Sequence, residues 1–376
     1  MNASARREFA LLSGAASFLL WACGRKSAAQ VAAAAAGFAL AWQSRPYSYR
    51  GRTVVITGGS RGLGFALARN LVRHGANVVL LARDAAELAR AESQLTLQGS
   101  SGVLTIPCDI TQPDQLRAAI AHSVDTFGSI DVWINDAGAI LVGPLTAMVR
   151  EDFDALLETQ VRAVWTATQE LLPIFRRAGG GRIVNISSIG GKLAVPHLGP
   201  YSVAKFALAG LSASLNAELA AENIKVTTVF PGLMRVGSAI QAVVKGEHEK
   251  EFAWFALGSI TPLISVSADD AAARILRSVA RGDAELVFPL AMKSAAKLQA
   301  LFPELTALAS QLASRLLPRE TSPVGHTGAQ SGALLERLPA AGALREHLER
   351  QQWENNEAAK SDARFTLGLD RPSTNS

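Results

Sequence analysis

The sequence predicts an α/β domain built on a doubly wound parallel sheet, and three observations predict it. From about residue 50 onwards, short and nearly continuous apolar segments alternate with amphipathic helical ones, the pattern of strands covered by helices on both faces. A glycine-rich turn, TGGSRGLG at 57–64, joins the first such segment to the first helix. Most other polar clusters fall at the carboxyl ends of strands, where open sheets of this kind bind ligands: Arg83, Asp109, Asn135–Gly138 and Ser187–Ser188.

The chain has 376 residues, 49% of them hydrophobic and 18% charged, which suffices for a large core and excludes a disordered protein. Residues 1–48 stand apart as an apolar N-terminal segment. Two runs, 9–23 and 28–42, flank GRKS, and each is shorter than the roughly 20 apolar residues that span a bilayer. Three readings compete: a membrane anchor (one interrupted helix or a shallow hairpin), a cleaved secretory signal, and an alanine-rich helix packed on the domain. The anchor is preferred. Over residues 1–52, Arg6, Arg7, Arg25, Lys26, Arg45, Arg50 and Arg52 face Glu8 alone, a net +6, so the rest of the chain sums to about −1 of the +5 formal charge. That placement resembles a membrane address rather than a nucleic-acid footprint, and it favours a cytoplasmic catalytic domain. A plain cytoplasmic location is the alternative. Cys23 and Cys108 lie far apart and suggest no disulfide framework, in keeping with a reducing compartment.

Residues 49–290 carry the alternation. TVVITG is a strand, GLGFALARNLVRHG a helix ending at Gly75, and NVVLLA a second strand followed by a helix rich in alanine and glutamate. VLTIPCD, a helix over QPDQLRAAIAHSVDTFG and IDVWINDAG come next. A long helix near 151–177, the strand RIVNISS, a helix over 200–221, the strand KVTTVF and AELVFP complete the series. Residues 291–318 continue an apolar helical stretch that could cover a substrate cleft or lie against lipid. Residues 319–376 are polar and nearly charge-balanced, and read as largely flexible, with a helix around 343–360.

The glycine turn has the position a dinucleotide requires, after a strand and before a helix whose N–H groups meet a pyrophosphate. Gly58, Gly62 and Gly64 let the backbone approach. Cofactor choice depends on the charge beyond the second strand, where VVLLARD offers Arg83 and no carboxylate before Asp84. Arg61 adds a second positive charge. A guanidinium pair suits a 2′-phosphate, so NADP(H) is preferred over reading both arginines as surface charge.

These motifs, with Ser188, YSVAK at 201–205 and PG at 231–232, resemble the short-chain dehydrogenase/reductase family over about residues 50–290. The resemblance implies a Rossmann-like fold and an NADP-dependent oxidoreductase that interconverts a carbonyl and an alcohol. It implies cofactor contacts from Thr57, Gly58, Ser60, Arg61, Gly62, Leu63, Gly64, Arg83, Asp109, Ile110, Asn135, Ala137, Gly138, Tyr201, Lys205, Pro231 and Gly232. Tyr201 is then the general acid/base, helped by the positive charge of Lys205 one turn along the helix, since a free phenol titrates near 10. Ser188, thirteen residues before Tyr201, would orient the substrate carbonyl. An ordinary core helix with a buried tyrosine and a snorkelling lysine is the bland alternative.

Two departures from the family pattern stand out. Gln160 replaces the asparagine that holds a relay water, and Val236 replaces a threonine that bonds the nicotinamide carboxamide, with Ser238 as a candidate substitute. His197 reads as a loop-surface residue, with a substrate contact as the alternative. His74 and His122 read as helix-surface residues, and no Cys/His spacing suggests a metal. The expected substrate is an apolar carbonyl or alcohol, lipid-like or sterol-like, given the neighbouring apolar segments. The expected partners are that small molecule and a membrane surface through residues 9–42; a homo-oligomer is compatible with the sequence. The competing function is a membrane-associated cofactor-binding sensor or scaffold with little catalysis, motivated by Gln160 and Val236.

Overall fold

Two alanine-rich helices, α1 (Ala3–Ala22) and α2 (Lys26–Ala41), open the chain. They pack on one another with Ala10 and Ala29 buried, and the Ser17 hydroxyl donates to the Ala29 carbonyl at 2.8 Å. Their large apolar side chains stay outside: Phe9, Leu11, Leu12, Phe18, Leu19 and Trp21 are all exposed. Among the described residues no helix is long and apolar enough to cross a membrane. The apolar N-terminal segment is therefore a helical pair and not one interrupted span. The computed structural model describes residues 3–23, 25–41, 47–97, 102–237, 241–260, 265–318 and 328–330. The expectations for Ser238, for the tail at 319–327 and 331–376, and for the helix around 343–360 lie outside the described residues.

Tyr47 and Tyr49 fasten the start of the sheet domain. The Arg182 guanidinium lies 3.9 Å from the centre of the Tyr47 ring, and the Tyr49 hydroxyl donates to the Leu276 carbonyl at 2.7 Å. β1 (Thr53–Thr57) is five consecutive β-branched residues, all buried, which suits a strand covered on both faces. α3 (Gly62–Arg73), β2 (Asn77–Ala82), α4 (Ala85–Thr96), β3 (Val103–Pro107), α5 (Pro113–Phe127) and β4 (Val132–Asn135) follow in alternation. A two-residue strand, β5 (Leu141–Val142), precedes the long helix, which differs from the single element expected. It is α6 (Arg150–Leu157) and α7 (Ala163–Arg177) joined by a π-helical turn over 158–162, an inserted widening that is frequent at functional sites. β6 (Gly181–Ile186), α8 (Gly199–Leu219) and β7 (Ile224–Pro231) follow.

Beyond β7 the chain leaves the sheet through β8 (Leu233–Arg235), β9 (Val243–Val244), α9 (His248–Ile260) and β10 (Ser265–Ser267). It returns through α10 (Ala268–Arg281) to β11 (Glu285–Phe288), then continues as α11 (Leu290–Leu301), α12 (Pro303–Ser314) and the short β12 (Ala329–Gln330). Small sheets pair β8 with β10 and β9 with both β5 and β12. The main sheet has seven parallel strands in the order β11-β7-β6-β4-β1-β2-β3. The chain winds outward from β1 to β3, then jumps back to β4, so the order reverses between β1 and β4. A ligand crevice opens at such a reversal.

Helices α3, α4 and α10 cover one face, with Phe65, Leu71, Leu88 and Ile275 in its core; α5, α7 and α8 cover the other with Leu116, Leu171, Phe175 and Leu215. A buried polar chain fixes α8 to the sheet. Trp133 Nε1 donates to Asn135 Oδ1 at 2.7 Å, Asn135 Nδ2 to Asn185 Oδ1 at 2.8 Å, and Asn185 Nδ2 to Ser212 Oγ at 2.9 Å. The Thr228 hydroxyl closes it on Ser212 at 2.6 Å. Each partner is satisfied, which is what allows such groups to be buried. α11 and α12 contain no fully buried residue, and Leu290, Leu298, Leu301, Leu305, Leu308 and Leu312 are exposed.

Candidate active site

At the end of β1 the chain turns at once into α3. Gly58 takes φ +71°, where a Cβ would lie 2.9 Å from the Ala137 Cα, so glycine meets both the backbone angle and the close approach. Thr57 Oγ1 accepts from the backbone N–H groups of Asp136 and Ala137, both at 3.2 Å, and stitches the ends of β1 and β4 together at the reversal. A Cβ at Gly64 would run into the Gly58 carbonyl oxygen.

A cavity of about 780 Å³ follows the carboxyl ends of the strands. Of the residues expected to hold a cofactor or substrate, it is lined by Gly58, Ser60, Arg61, Gly62, Leu63, Arg83, Asp109, Ile110, Ala137, Gly138, Ser188, Tyr201, Lys205, Pro231 and Gly232. Thr57, Gly64, Asn135 and Gln160 are not among its lining residues; all four are buried beside it. Thr57 and Asn135 act through the bonds just described. Gln160 sits in the π turn and donates from Nε2 to the Ala139 carbonyl at 3.0 Å, holding the loop after β4 from behind. Val236 does line the cavity.

Two arginines define a basic corner of the cavity. Burial pulls the Arg83 guanidinium below its usual range, and the Asp109 carboxylate opposes that. Arg61 lies 3.6 Å from the buried Glu87, whose carboxylate also accepts from the Ser60 hydroxyl at 3.1 Å. Sequence reasoning missed Glu87. Its signal was the Asp84-x-x-Glu87 helix start, where the Asp84 side chain accepts from the Glu87 N–H at 3.0 Å.

Ser188 lies two residues beyond β6 and caps the short turn that follows, where its Oγ accepts from the Gly190 N–H at 3.1 Å. The Ser188 and Tyr201 hydroxyls hydrogen-bond to one another. The other candidate, Ser187, donates its hydroxyl to the Lys205 carbonyl at 3.0 Å. Lys205 Nζ lies 5.5 Å from the centre of the Tyr201 ring and donates to the Ile186 carbonyl at 2.9 Å. The expected lowering of the phenol by Lys205 is not what dominates here. Burial pushes Tyr201 up to about 12, with the Ser188 bond opposing and the Asp136 charge adding to the rise. Burial pulls Lys205 down to about 8, with Asp136 opposing. Lys205 is buried and Tyr201 partly so, and removal from water disfavours the charged form of each. Asp136 went unread although it lies inside the NDAG motif, between Asn135 and Ala137.

His197 differs from the surface reading. Its side chain is only 10% exposed, its Nδ1 lies 2.7 Å from Glu251 Oε1, and it is not among the cavity-lining residues. The substrate side of the cavity is apolar, walled by Ile189, Val195, Leu198, Leu233, Trp254 and Phe255. The glycine cradle, the basic corner and the strand-end position fit a dinucleotide.

A cradle for a dinucleotide at the reversal of a seven-stranded parallel sheet, opening on a buried phenol and amine, defines an oxidoreductase of the nicotinamide-dependent class. The chain belongs to the short-chain dehydrogenase family, whose model matches residues 52–246. It is 32% identical over 261 residues to a dehydrogenase/reductase SDR family protein 7-like of Anopheles gambiae, covering 67% of this chain and 80% of that one. It is 34% identical over 190 residues to oxidoreductase UcpA of Salmonella typhimurium, covering 50% and 72% respectively. A short-chain dehydrogenase from Streptomyces avermitilis superposes with a TM-score of 0.61 at 26% identity, covering 73% of this chain and all of that one.

Proposed function

We propose that the protein is an NADP(H)-dependent reductase of apolar carbonyl compounds, with Tyr201 as its general acid/base. One observation carries the reading: the Ser188–Tyr201 hydrogen bond, with Lys205 a turn away, opens on the same cavity as Arg61 and Arg83. The nicotinamide, when bound, supplies a hydride to the carbonyl carbon in one direction and accepts it in the other. Ser188 Oγ binds the carbonyl oxygen and orients it, and Tyr201 gives that oxygen its hydroxyl proton as negative charge develops. With its pKa near 12 the phenol is held protonated, ready to donate. Lys205 sets positive charge beside the phenolate that remains, and Gln160 holds the loop of Gly138 in place. Arg61 and Arg83 receive the 2′-phosphate; Gly58 and Gly62 admit the pyrophosphate. The aromatic and aliphatic wall around Trp254 and Leu198 favours a lipid-like or sterol-like substrate.

The exposed leucines, phenylalanines and tryptophan of α1, together with Arg25 and Lys26, support a place on the cytoplasmic membrane surface, lying in the interface without crossing it. The test is a titration of the full chain with NADPH and NADH, followed by turnover of long-chain ketones with Tyr201→Phe as control. Binding of NADPH well above NADH, with turnover lost in Tyr201→Phe and cofactor binding kept, is expected. Equal NADH binding, or turnover surviving in Tyr201→Phe, overturns the corresponding half of the reading.

A further inference from the structure

Glu251 is completely buried on α9 and belongs to no step of the chemistry above. Its two carboxylate oxygens are used in two directions. Oε1 meets His197 Nδ1 at 2.7 Å, and Oε2 accepts from Trp254 Nε1 at 2.7 Å. A carboxylate only accepts, so His197 carries its hydrogen on Nδ1 in this arrangement. Trp254 is a wall of the cavity; His197 lies in the loop between Ser188 and Tyr201. Its backbone is in the left-handed region at φ 62°, which a residue with a Cβ rarely adopts. His197 is held there from both sides, since its carbonyl also accepts from the Gly143 N–H at 2.8 Å. Strain kept in place by buried hydrogen bonds beside a cavity is the mark of a positioned element.

From this geometry we infer that Glu251 is a positioning residue that sets substrate size selection, by latching the α9 wall to the loop carrying the Ser188–Tyr201 pair. The inference rests on the reading of this cavity as the substrate site. α9 supplies Trp254, Phe255 and Gly258 to the cavity, while the loop supplies Val195 and Leu198. The Glu251 carboxylate bridges the two walls at one point, so it fixes their separation. A long apolar substrate touches both walls and depends on that separation; a small ketone held by Ser188 and Tyr201 does not.

Three variants of the full chain test this. Glu251→Leu removes both acceptors and strands two buried N–H groups. His197→Ala removes the arm that crosses from the loop to α9 and keeps the Glu251–Trp254 bond, which lies within α9. Glu251→Gln preserves the bridge, because its oxygen can accept from Trp254 while its NH₂ donates to the other tautomer of His197. The first readout is hydrogen exchange of α9 and of the 193–199 loop, which needs no turnover. Exchange about tenfold faster in both for Glu251→Leu and for His197→Ala, and near wild type in Glu251→Gln, is expected, the size associated with hydrogen bonds to a charged group. The second readout is KM and kcat for 2-decanone and for butane-2,3-dione. Glu251→Leu should raise KM for the long ketone about tenfold and leave the small one within about twofold. Unchanged exchange in both Glu251→Leu and His197→Ala overturns the latch. Exchange loosened with both ketones affected alike overturns size selection and leaves a purely structural role. Turnover of neither ketone by wild type counts against the proposed function, whereas the exchange result stands on its own. Should Glu251→Leu fail to fold, His197→Ala decides between these outcomes.

Discussion

Lys205 Nζ donates to the Ile186 carbonyl at 2.9 Å, so the last residue of β6 holds the amine in a buried position next to Tyr201. An amine in that setting loses its charge more easily than one in water, and burial brings Lys205 down to about 8.

The pH dependence of reduction follows. Lys205 is an ammonium below about 8 and neutral above, so the positive charge beside Tyr201 fades as pH rises through that value. The rate of ketone reduction at saturating NADPH should be level to about pH 8 and then fall by about tenfold per unit. A stability effect has the opposite sense. Between about 8 and the ordinary 10.5 the folded chain binds fewer protons at this site than the unfolded chain, so the cost of burying the charge is full below about 8 and is relieved as pH rises. Lys205→Met should therefore raise Tm more at pH 7 than at pH 10. A flat rate profile from pH 7 to 10 would remove Lys205 from the chemistry.

Cofactor preference should reside in Arg61 and Arg83. Each arginine replaced by alanine is expected to weaken NADPH binding by about 10- to 100-fold and to leave NADH binding within about threefold, the difference expected from lost charge-assisted bonds to one phosphate. Isothermal titration of both nucleotides measures it. Equal losses for the two nucleotides would instead mean that the arginines only support the loop and its partner Glu87.

Asp152 on α6 and Lys245, just beyond β9, form an ion pair of 2.7 Å in which neither side chain is more than 5% exposed. Removing the cation alone leaves a buried carboxylate unpaired, so Lys245→Met is expected to cost about 3–5 kcal/mol in denaturant unfolding. Asp152→Leu combined with Lys245→Met should recover most of that, because two desolvated charges are exchanged for apolar contact. A double variant no better than Lys245→Met would show that the pair fixes the backbone around β9, beyond balancing charge.

Membrane association should depend on the outer face of α1. Leu11 and Leu12 are 74% and 71% exposed, and full insertion of a leucine into an apolar phase contributes about 1.5–3 kcal/mol. Replacing both by glutamate should reduce co-flotation with vesicles containing phosphatidylglycerol by more than about tenfold while leaving NADPH binding intact. Wild-type protein that stays with the soluble fraction in every vesicle composition would set the membrane reading aside.

Much of the site was legible in the sequence because its parts are local. The glycine turn between β1 and α3 is dictated by backbone access at Gly58, and Tyr201 and Lys205 share a helical face whatever surrounds them. The alternation of apolar strands and amphipathic helices implied the doubly wound sheet, and the strand ends carrying Arg83, Asp109 and Ser188 do meet at one cavity. The π turn was not legible. Residues 151–177 read as one continuous helix, and Gln160 in the turn packs behind Gly138, 22 residues away in the loop after β4.

The charges at the site belonged to the tertiary structure altogether. Tyr201 and Lys205 are spaced by the sequence as an acid–base pair, but burial and the neighbouring Asp136 decide which way each titrates, and those depend on the whole packed cavity. His197 and Glu251 show the same division. They are 54 residues apart with no motif between them, and only the folding of α9 over the cavity brings an imidazole and a buried carboxylate to 2.7 Å. Local backbone geometry is written into short stretches of residues, whereas desolvation and long-range contacts exist only once the chain has closed around them.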